Sequence, residues 1–470
     1  MTELLSGSFA LPSNFALPRR ESGYRERNID ESPKQPDTDF MVEGKARLPP
    51  SRNPLPDHVQ RRNSLVFIVN NSLGYFVAPV FYVGVLHAAI LSSLGFSDTI
   101  ANLPESVYMW LTPVPLLIAW FWPSTRYLRK MLVIAYVGKG AAGLLAASLF
   151  LMAPRWLAIG IVVHAAVIGV TNGVATMCLW ELIGRGMTPA RRGWTLGITF
   201  GVGPVFAVLG SCASQLILDG NFLDLIEVTP VPKPWCYAVL FGATAPAMAI
   251  SAACVFLAHV PAESSGEPGM SLARVMQGLR QYFGCRLILI AACGFLLTSA
   301  GGNMILNNLA LFVRDATEEL PETYTGVQLA LRFGCKSLFG FVLGWMVARF
   351  DPRTPALATT LICLAGVGWA MVVPGKWYLF SFGLLGAGEL FYVYYLNYIV
   401  GCSAPARIRE NTAYTNLIMV TVSFMPLIYG GISDSYGLRA SFVLAMGILI
   451  VATVIVATLL PRRPVPKSDD

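Results

Sequence analysis

Four charged side chains sit in sequence that is otherwise apolar enough to cross a membrane: Lys139, Arg332, Lys336 and Glu389. A charge at the centre of a membrane-crossing helix costs at least ~2.5–3.5 kcal/mol, so each must face protein, a partner or water. Arg332 and Lys336 are four residues apart and share one helix face, which Gln328 extends by a turn. At about 1.5 Å per residue, Lys336 lies ~16 Å deep in its stretch, and Glu389 lies at a similar depth in another. This predicts that Glu389 pairs with Arg332 or Lys336. The pair is either an ion pair that ties two helices together or a charged element of a substrate or proton site, and the two readings are compatible. Burial favours the protonated carboxyl and a neighbouring base the ionised one. A carboxylate whose surroundings alternate between the two could therefore couple a proton, and Glu389 is the candidate.

Other polar residues recur at helical spacing. Ser299, Asn303 and Asn307 follow at steps of four, with Asn308 beside them. Such a stripe either bonds neighbouring helices or lines a cavity. Asn70 and Asn71, with Tyr75, repeat the feature on a smaller scale. Tyr392 lies on the Glu389 side of its helix and offers a cavity-facing hydroxyl. His164 shares a face with Thr171 and reads either as a hydrogen-bonded packing residue or as a proton-carrying group. Lys139 lies close enough to a span end to snorkel. Glu105 and His259 also fall near span ends, where the interface accounts for them. The three intramembrane bases, Lys139, Arg332 and Lys336, outnumber the one acid, which would suit an anionic substrate. Gly169 and Gly173, and Gly197, Gly201 and Gly203, read as close helix packing.

The elements that must position these residues are twelve apolar spans: 65–91, 104–122, 131–152, 156–178, 194–217, 236–259, 287–313, 325–348, 356–373, 377–402, 413–432 and 440–460. Each suffices for a hydrocarbon core of about 30 Å. Lipid offers the backbone no hydrogen-bond partner, so each must be helical. The second is the weakest, since Pro113 and Pro115 interrupt it. Hydrophobic residues make up 55% of the chain and charged ones 13%, which excludes an ordinary soluble domain. The net charge of +7 resides in loops and tails, so no nucleic-acid partner is expected. No phosphate-binding loop, zinc-type cysteine pairing or HExxH motif occurs, and no cofactor or metal is expected. The nine cysteines do not form a disulfide framework and read as small buried thiols.

The loops that follow the even-numbered spans carry thirteen Lys and Arg residues against five on the other side. This asymmetry predicts that both termini are cytoplasmic, in a plasma or inner membrane. Residues 1–63 read as a disordered cytoplasmic tail, rich in Pro, Arg, Asp, Glu and Ser. The longest connection falls after the sixth span, giving an N-terminal six-helix bundle at 64–260, a cytoplasmic linker at 261–286, a C-terminal bundle at 287–461 and a tail at 462–470. Pro189-Ala190-Arg191-Arg192 after the fourth span and Pro405-Ala406-Arg407 after the tenth point to duplicated halves.

With these features, residues 64–461 resemble the major facilitator superfamily of secondary transporters. Gly344 to Arg353 is similar to that superfamily's glycine-to-basic loop motif, with Ala348 where an acidic residue is usual. Trp122 to Lys130 keeps only the basic cluster, and Gly430 to Arg439, followed by Phe442, is similar to the link between its last two helices. The resemblance implies an all-α membrane protein of two six-helix bundles around a central cavity, working by alternating access on a small-molecule substrate. A non-transporting receptor or scaffold on the same fold is the alternative. A membrane-embedded enzyme fits less well, because the four histidines are scattered.

Overall fold

The computed structural model of the protein describes residues 55–114, 127–150, 152, 154–222, 224–259, 272–403 and 408–462. Helices account for nearly all of it, as the lack of backbone partners in lipid requires. In the first half they are α1 (Asp57–Phe76), α2 (Ala78–Phe81), α3 (Val85–Ser93), α4 (Asp98–Leu111), α5 (Leu128–Leu149), α6 (Pro154–Gly186), α7 (Pro189–Leu218), α8 (Trp235–Gly242) and α9 (Thr244–Val255). A two-stranded hairpin, Asn221–Phe222 against Ile226–Glu227, lies between α7 and α8. The remainder comprises α10 (Leu272–Gly284), α11 (Arg286–Thr298), α12 (Leu306–Leu311), α13 (Val313–Thr317), α14 (Thr325–Arg349), α15 (Arg353–Val372), α16 (Phe380–Gly388), α17 (Phe391–Cys402), α18 (Ile408–Ile418), α19 (Met425–Tyr436) and α20 (Leu438–Leu459). Among the described residues, ten helical stretches are long and apolar enough to cross a membrane, from Leu128–Leu149 to Leu438–Leu459. The protein is a multi-pass integral membrane protein.

The other two expected spans are those nearest the amino terminus. The stretch 65–91 is divided into α1, α2 and α3, with breaks at Val77 and at Tyr82–Gly84. In the stretch 104–122, α4 begins six residues early at Asp98, with the Ser97 hydroxyl accepting from the Ile100 amide, and ends at Leu111. Residues 115–126 lie outside the described set, as do 1–54, 260–271, 404–407 and 463–470, where the tails and parts of two basic loops were expected. Two helices lie at the expected boundaries. The expected tail gives way to α1 already at Asp57, and the expected linker contains the amphipathic helix α10, whose Tyr282 is buried while Met276 and Phe283 are exposed. All nine cysteines are free, as expected, but only Cys178, Cys236, Cys363 and Cys402 are buried; the other five are half-buried.

Within the first half α5 packs on α6 and α9, and α1 on α7; within the second, α14 and α15 pack on α16, and α20 on α11 and α15. Between the halves α7 packs along α14, α4 along α19, and α3 against α12. The polar contacts that close this boundary gather at one end. Asp434 accepts from the Asp98 amide at 2.8 Å, the Thr99 amide at 3.1 Å and the Thr99 hydroxyl at 2.6 Å. Arg314 pairs with Asp98 at 2.9 Å. Asn102 donates to Asn308 at 2.8 Å, and Lys233 pairs with Glu322. This sealed end carries the connections that the basic-residue asymmetry assigns to the non-cytoplasmic side.

Candidate functional site

Three breaks in helices meet beside Arg332 and Glu389, although α14, which carries Arg332 and Lys336, is itself unbroken. A π-turn, Ser299–Asn303, separates α11 from α12, and Glu389 and Leu390 separate α16 from α17. The Tyr82–Gly84 break divides α2 from α3. Non-helical backbone at membrane depth is tolerated only where it is buried in protein or lines a cavity. Here all three breaks border one cavity of about 180 Å³, with Tyr82, Gly84, Asn303 and Glu389 in its wall. Gly84, at φ 150°, is required at its position: a Cβ there would lie 2.9 Å from Asn307 Oδ1. A wider hollow beside Arg349, Asp351 and Arg462 is an open surface depression at the ends of α14 and α20.

Arg332, Glu389, Asn303, Asn307 and Tyr392, all singled out from sequence, meet in this wall. Arg332 Nε lies 3.0 Å from Glu389 Oε2, and its Nη2 donates to Asn303 Oδ1 at 3.3 Å. Lys336 Nζ is 3.1 Å from Glu389 Oε1, so one carboxylate is held by both bases. The guanidinium also lies 6.0 Å from the ring centroids of Tyr82 and Phe333. A buried, doubly bonded pair of this kind costs about 3–5 kcal/mol to break by removing one partner, because the other charge is left uncompensated.

The remaining candidates lie elsewhere. Gln328 donates to Tyr378 at 3.4 Å, Asn71 bonds the Phe67 carbonyl within its own helix, and Asn70 is buried in α1 without lining the cavity. His164 is not a lone histidine. Its Nδ1 lies 3.3 Å from His87 Nε2, and the two rings stack at 5.4 Å beside Phe241. Both are fully enclosed, and neither borders the cavity.

Two sequence expectations are overturned. Glu105 does not sit at the interface. Because α4 starts at Asp98, Glu105 is two turns inside it, 5% exposed, in the cavity wall with Arg332 and Glu389. Its Oε2 has no hydrogen-bond partner among the described residues. Nor does Lys139 snorkel. It is 7% exposed, and its Nζ is 3.0 Å from Asn172 Oδ1. Tyr82, Gly84 and Tyr108, which helical spacing in the sequence does not single out, also stand in the wall. The signal available for Glu105 was the Ser97 cap, which moves the helix start outward and the carboxylate inward.

The model of the Major Facilitator Superfamily matches residues 291–470. Among curated proteins none matches in sequence. Solved structures of the same fold include a point mutant of the nucleoside transporter NupG, with TM-score 0.64, 13% identity, and coverage of 85% of this chain and 100% of the other. A D-xylose–proton symporter gives 0.64 at 15% identity, over 86% of this chain and 98% of its own. A peptide transporter, POT, solved with sulfate gives 0.63 at 12% identity, over 85% and 94%.

Proposed function

We propose that this chain, which has the major facilitator fold and whose second half matches that superfamily's model, is a secondary active transporter of a small polar solute. The observation that carries this reading is the cavity. It is small, at about 180 Å³, it lies between the halves, and it draws Glu105 from the first and Arg332 and Glu389 from the second. Residues 64–260 and 287–461 would be the two moving bodies, joined by the linker at 261–286. Both termini would face the cytoplasm of a cell bounded by a plasma or inner membrane, as the basic-residue asymmetry suggests. The sealed end in this structure would then be the outer one.

Proton coupling is part of the proposal. Two carboxylates share the cavity with one guanidinium, and of the two it is Glu389 that Arg332 bonds in this conformation. A rearrangement that weakened that bond, or moved Arg332 toward Glu105, would change which carboxylate prefers its proton. Counting Glu105, two carboxylates match the two bases Arg332 and Lys336, of which Lys336 reaches Glu389 from outside the cavity wall, so the excess of bases reduces to Lys139.

The test is uptake by proteoliposomes with and without an inward pH gradient. Glu389→Gln, which mimics the protonated acid, is expected to abolish gradient-driven accumulation while leaving solute exchange largely intact. Accumulation at the wild-type rate would reduce Glu389 to a structural partner of α14. Absence of uptake for every solute, with ligand binding retained, would favour a receptor on the same fold.

A further inference from the structure

Among the described residues, Lys139 is a buried cation without a counter-ion. It lies midway along α5, and no carboxylate among those residues comes within 4 Å of its Nζ. What surrounds it is one amide oxygen, Asn172 Oδ1 at 3.0 Å, and two ring faces, Phe81 at 5.6 Å and Tyr136 at 5.8 Å. Cation–π contacts and one neutral hydrogen bond recover only part of an ammonium's lost hydration. A charge kept at such cost inside a membrane calls for a function.

The hydrogen-bond chemistry links this cation to the cavity. An ammonium has only donors, so the Asn172 amide must turn its oxygen toward Lys139. Its Nδ2 then donates to Tyr108 Oη, at 2.9 Å. Tyr108 Oη is thereby an acceptor on that side, and its own proton is left to donate, either to a solute or to the neighbouring Thr112 hydroxyl, whose proton goes to the Tyr108 carbonyl. Tyr108 stands in the cavity wall, one turn beyond Glu105 on α4, as does Tyr392 from α17. The chain Lys139–Asn172–Tyr108 therefore fixes the polarity of the hydroxyl of one residue of the cavity wall, as an acceptor toward Asn172 with its proton left to donate.

We propose that Lys139, acting through Asn172, prepares Tyr108 to bind the oxyanion of a monoanionic, carboxylate-bearing solute. Charge balance sets the class. When Glu105 and Glu389 are both ionised they balance Arg332 and Lys336, and Lys139 leaves one positive unit, which a single carboxylate neutralises. The small cavity and the single donor suit a monocarboxylate better than a multivalent phosphate. Lys139 is a positioning residue; Tyr108 is the contact. This inference rests on the cavity being the substrate site.

The experiment uses the full chain, purified, with thermal unfolding followed against a panel of short-chain and hydroxylated monocarboxylates. Each is compared with its own amide at matched ionic strength. At least one carboxylate should raise the unfolding temperature where its amide does not. The apparent affinity for it should fall about tenfold or more in Tyr108→Phe, which leaves Lys139 and Asn172 in place. Asn172→Asp should do the same by supplying Lys139 with an internal counter-ion, and Lys139→Met should remove the preference for carboxylate over amide. Equal stabilisation by carboxylate and amide, no stabilisation by any carboxylate, or a carboxylate effect untouched by Tyr108→Phe would each overturn the proposal. Carboxylate binding that depends on Tyr108 without uptake into proteoliposomes would sink the transport reading alone. Uptake of neutral solutes at the same rate in Tyr108→Phe and wild type would sink the oxyanion site and leave transport standing.

Discussion

Asp434 caps a helix that belongs to the other half of the chain. It projects from the last turn of α19 and receives two backbone amides and one hydroxyl at the start of α4. Replacing it by alanine removes all three bonds and the negative charge at the positive end of α4. Loss of a capping side chain costs about 0.5–2 kcal/mol. Loss of an anion at an exposed helix start costs about 0.3–1 kcal/mol. The two overlap, so we expect about 1–2 kcal/mol, or roughly a five- to thirtyfold rise in the ratio of open to sealed forms at this end. The loss should fall on the contact between halves rather than on α4 itself, because the Ser97 hydroxyl still caps that helix from within. The assay is the distance distribution between spin labels incorporated at positions 95 and 436, measured in nanodiscs. A longer-distance population should grow in Asp434→Ala. Gly430→Val is the control, since a Cβ at Gly430 would already lie 2.7 Å from Thr99 Cα and should wedge the same boundary open. An unchanged distribution in Asp434→Ala, with Gly430→Val opening the end, would refute the reasoning and leave apolar packing as the seal.

Three further outcomes follow from the same structure. Gly84→Ala should lower the unfolding temperature, with a loss of about 1–3 kcal/mol, because the strained φ and the contact with Asn307 act together; a neutral effect would mean that the α2–α3 break relaxes freely. Gln215→Leu should destabilise the α7–α14 contact by about 1–3 kcal/mol, seen in the same melt. Gln215 Oε1 accepts from the Gly326 amide at 2.8 Å and its Nε2 donates to the Thr323 carbonyl, so both backbone groups would lose their partners. Burial holds the Asp98 carboxyl above the usual carboxylate range, with Arg314 opposing it. If opening returns Asp98 to water and its ordinary range, the sealed form binds the extra proton. Acidification through that window should then favour sealing and alkalinisation should lose the gain. The spin-label distances, read across pH, should show this in the wild type and not in Asp98→Asn.

The sequence by itself determined the class of the molecule, because lipid leaves the backbone a single solution: apolar runs of about twenty residues become helices whatever surrounds them. It also determined the Arg332–Lys336–Glu389 pairing, since charges that cannot face lipid and share a depth have few places to go. Tertiary structure decided what helical periodicity cannot encode. Glu105 reads as interfacial until the true start of α4 is known. His164 reads as solitary until α3 brings His87 against it, 77 residues away in sequence. Lys139 reads as a snorkelling base until Asn172, from the neighbouring helix, is seen to hold it inside. In each case the depth and the partner of a side chain were set by where helices start, break and pack. Those are properties of contacts between distant segments, and hydropathy along one segment does not contain them.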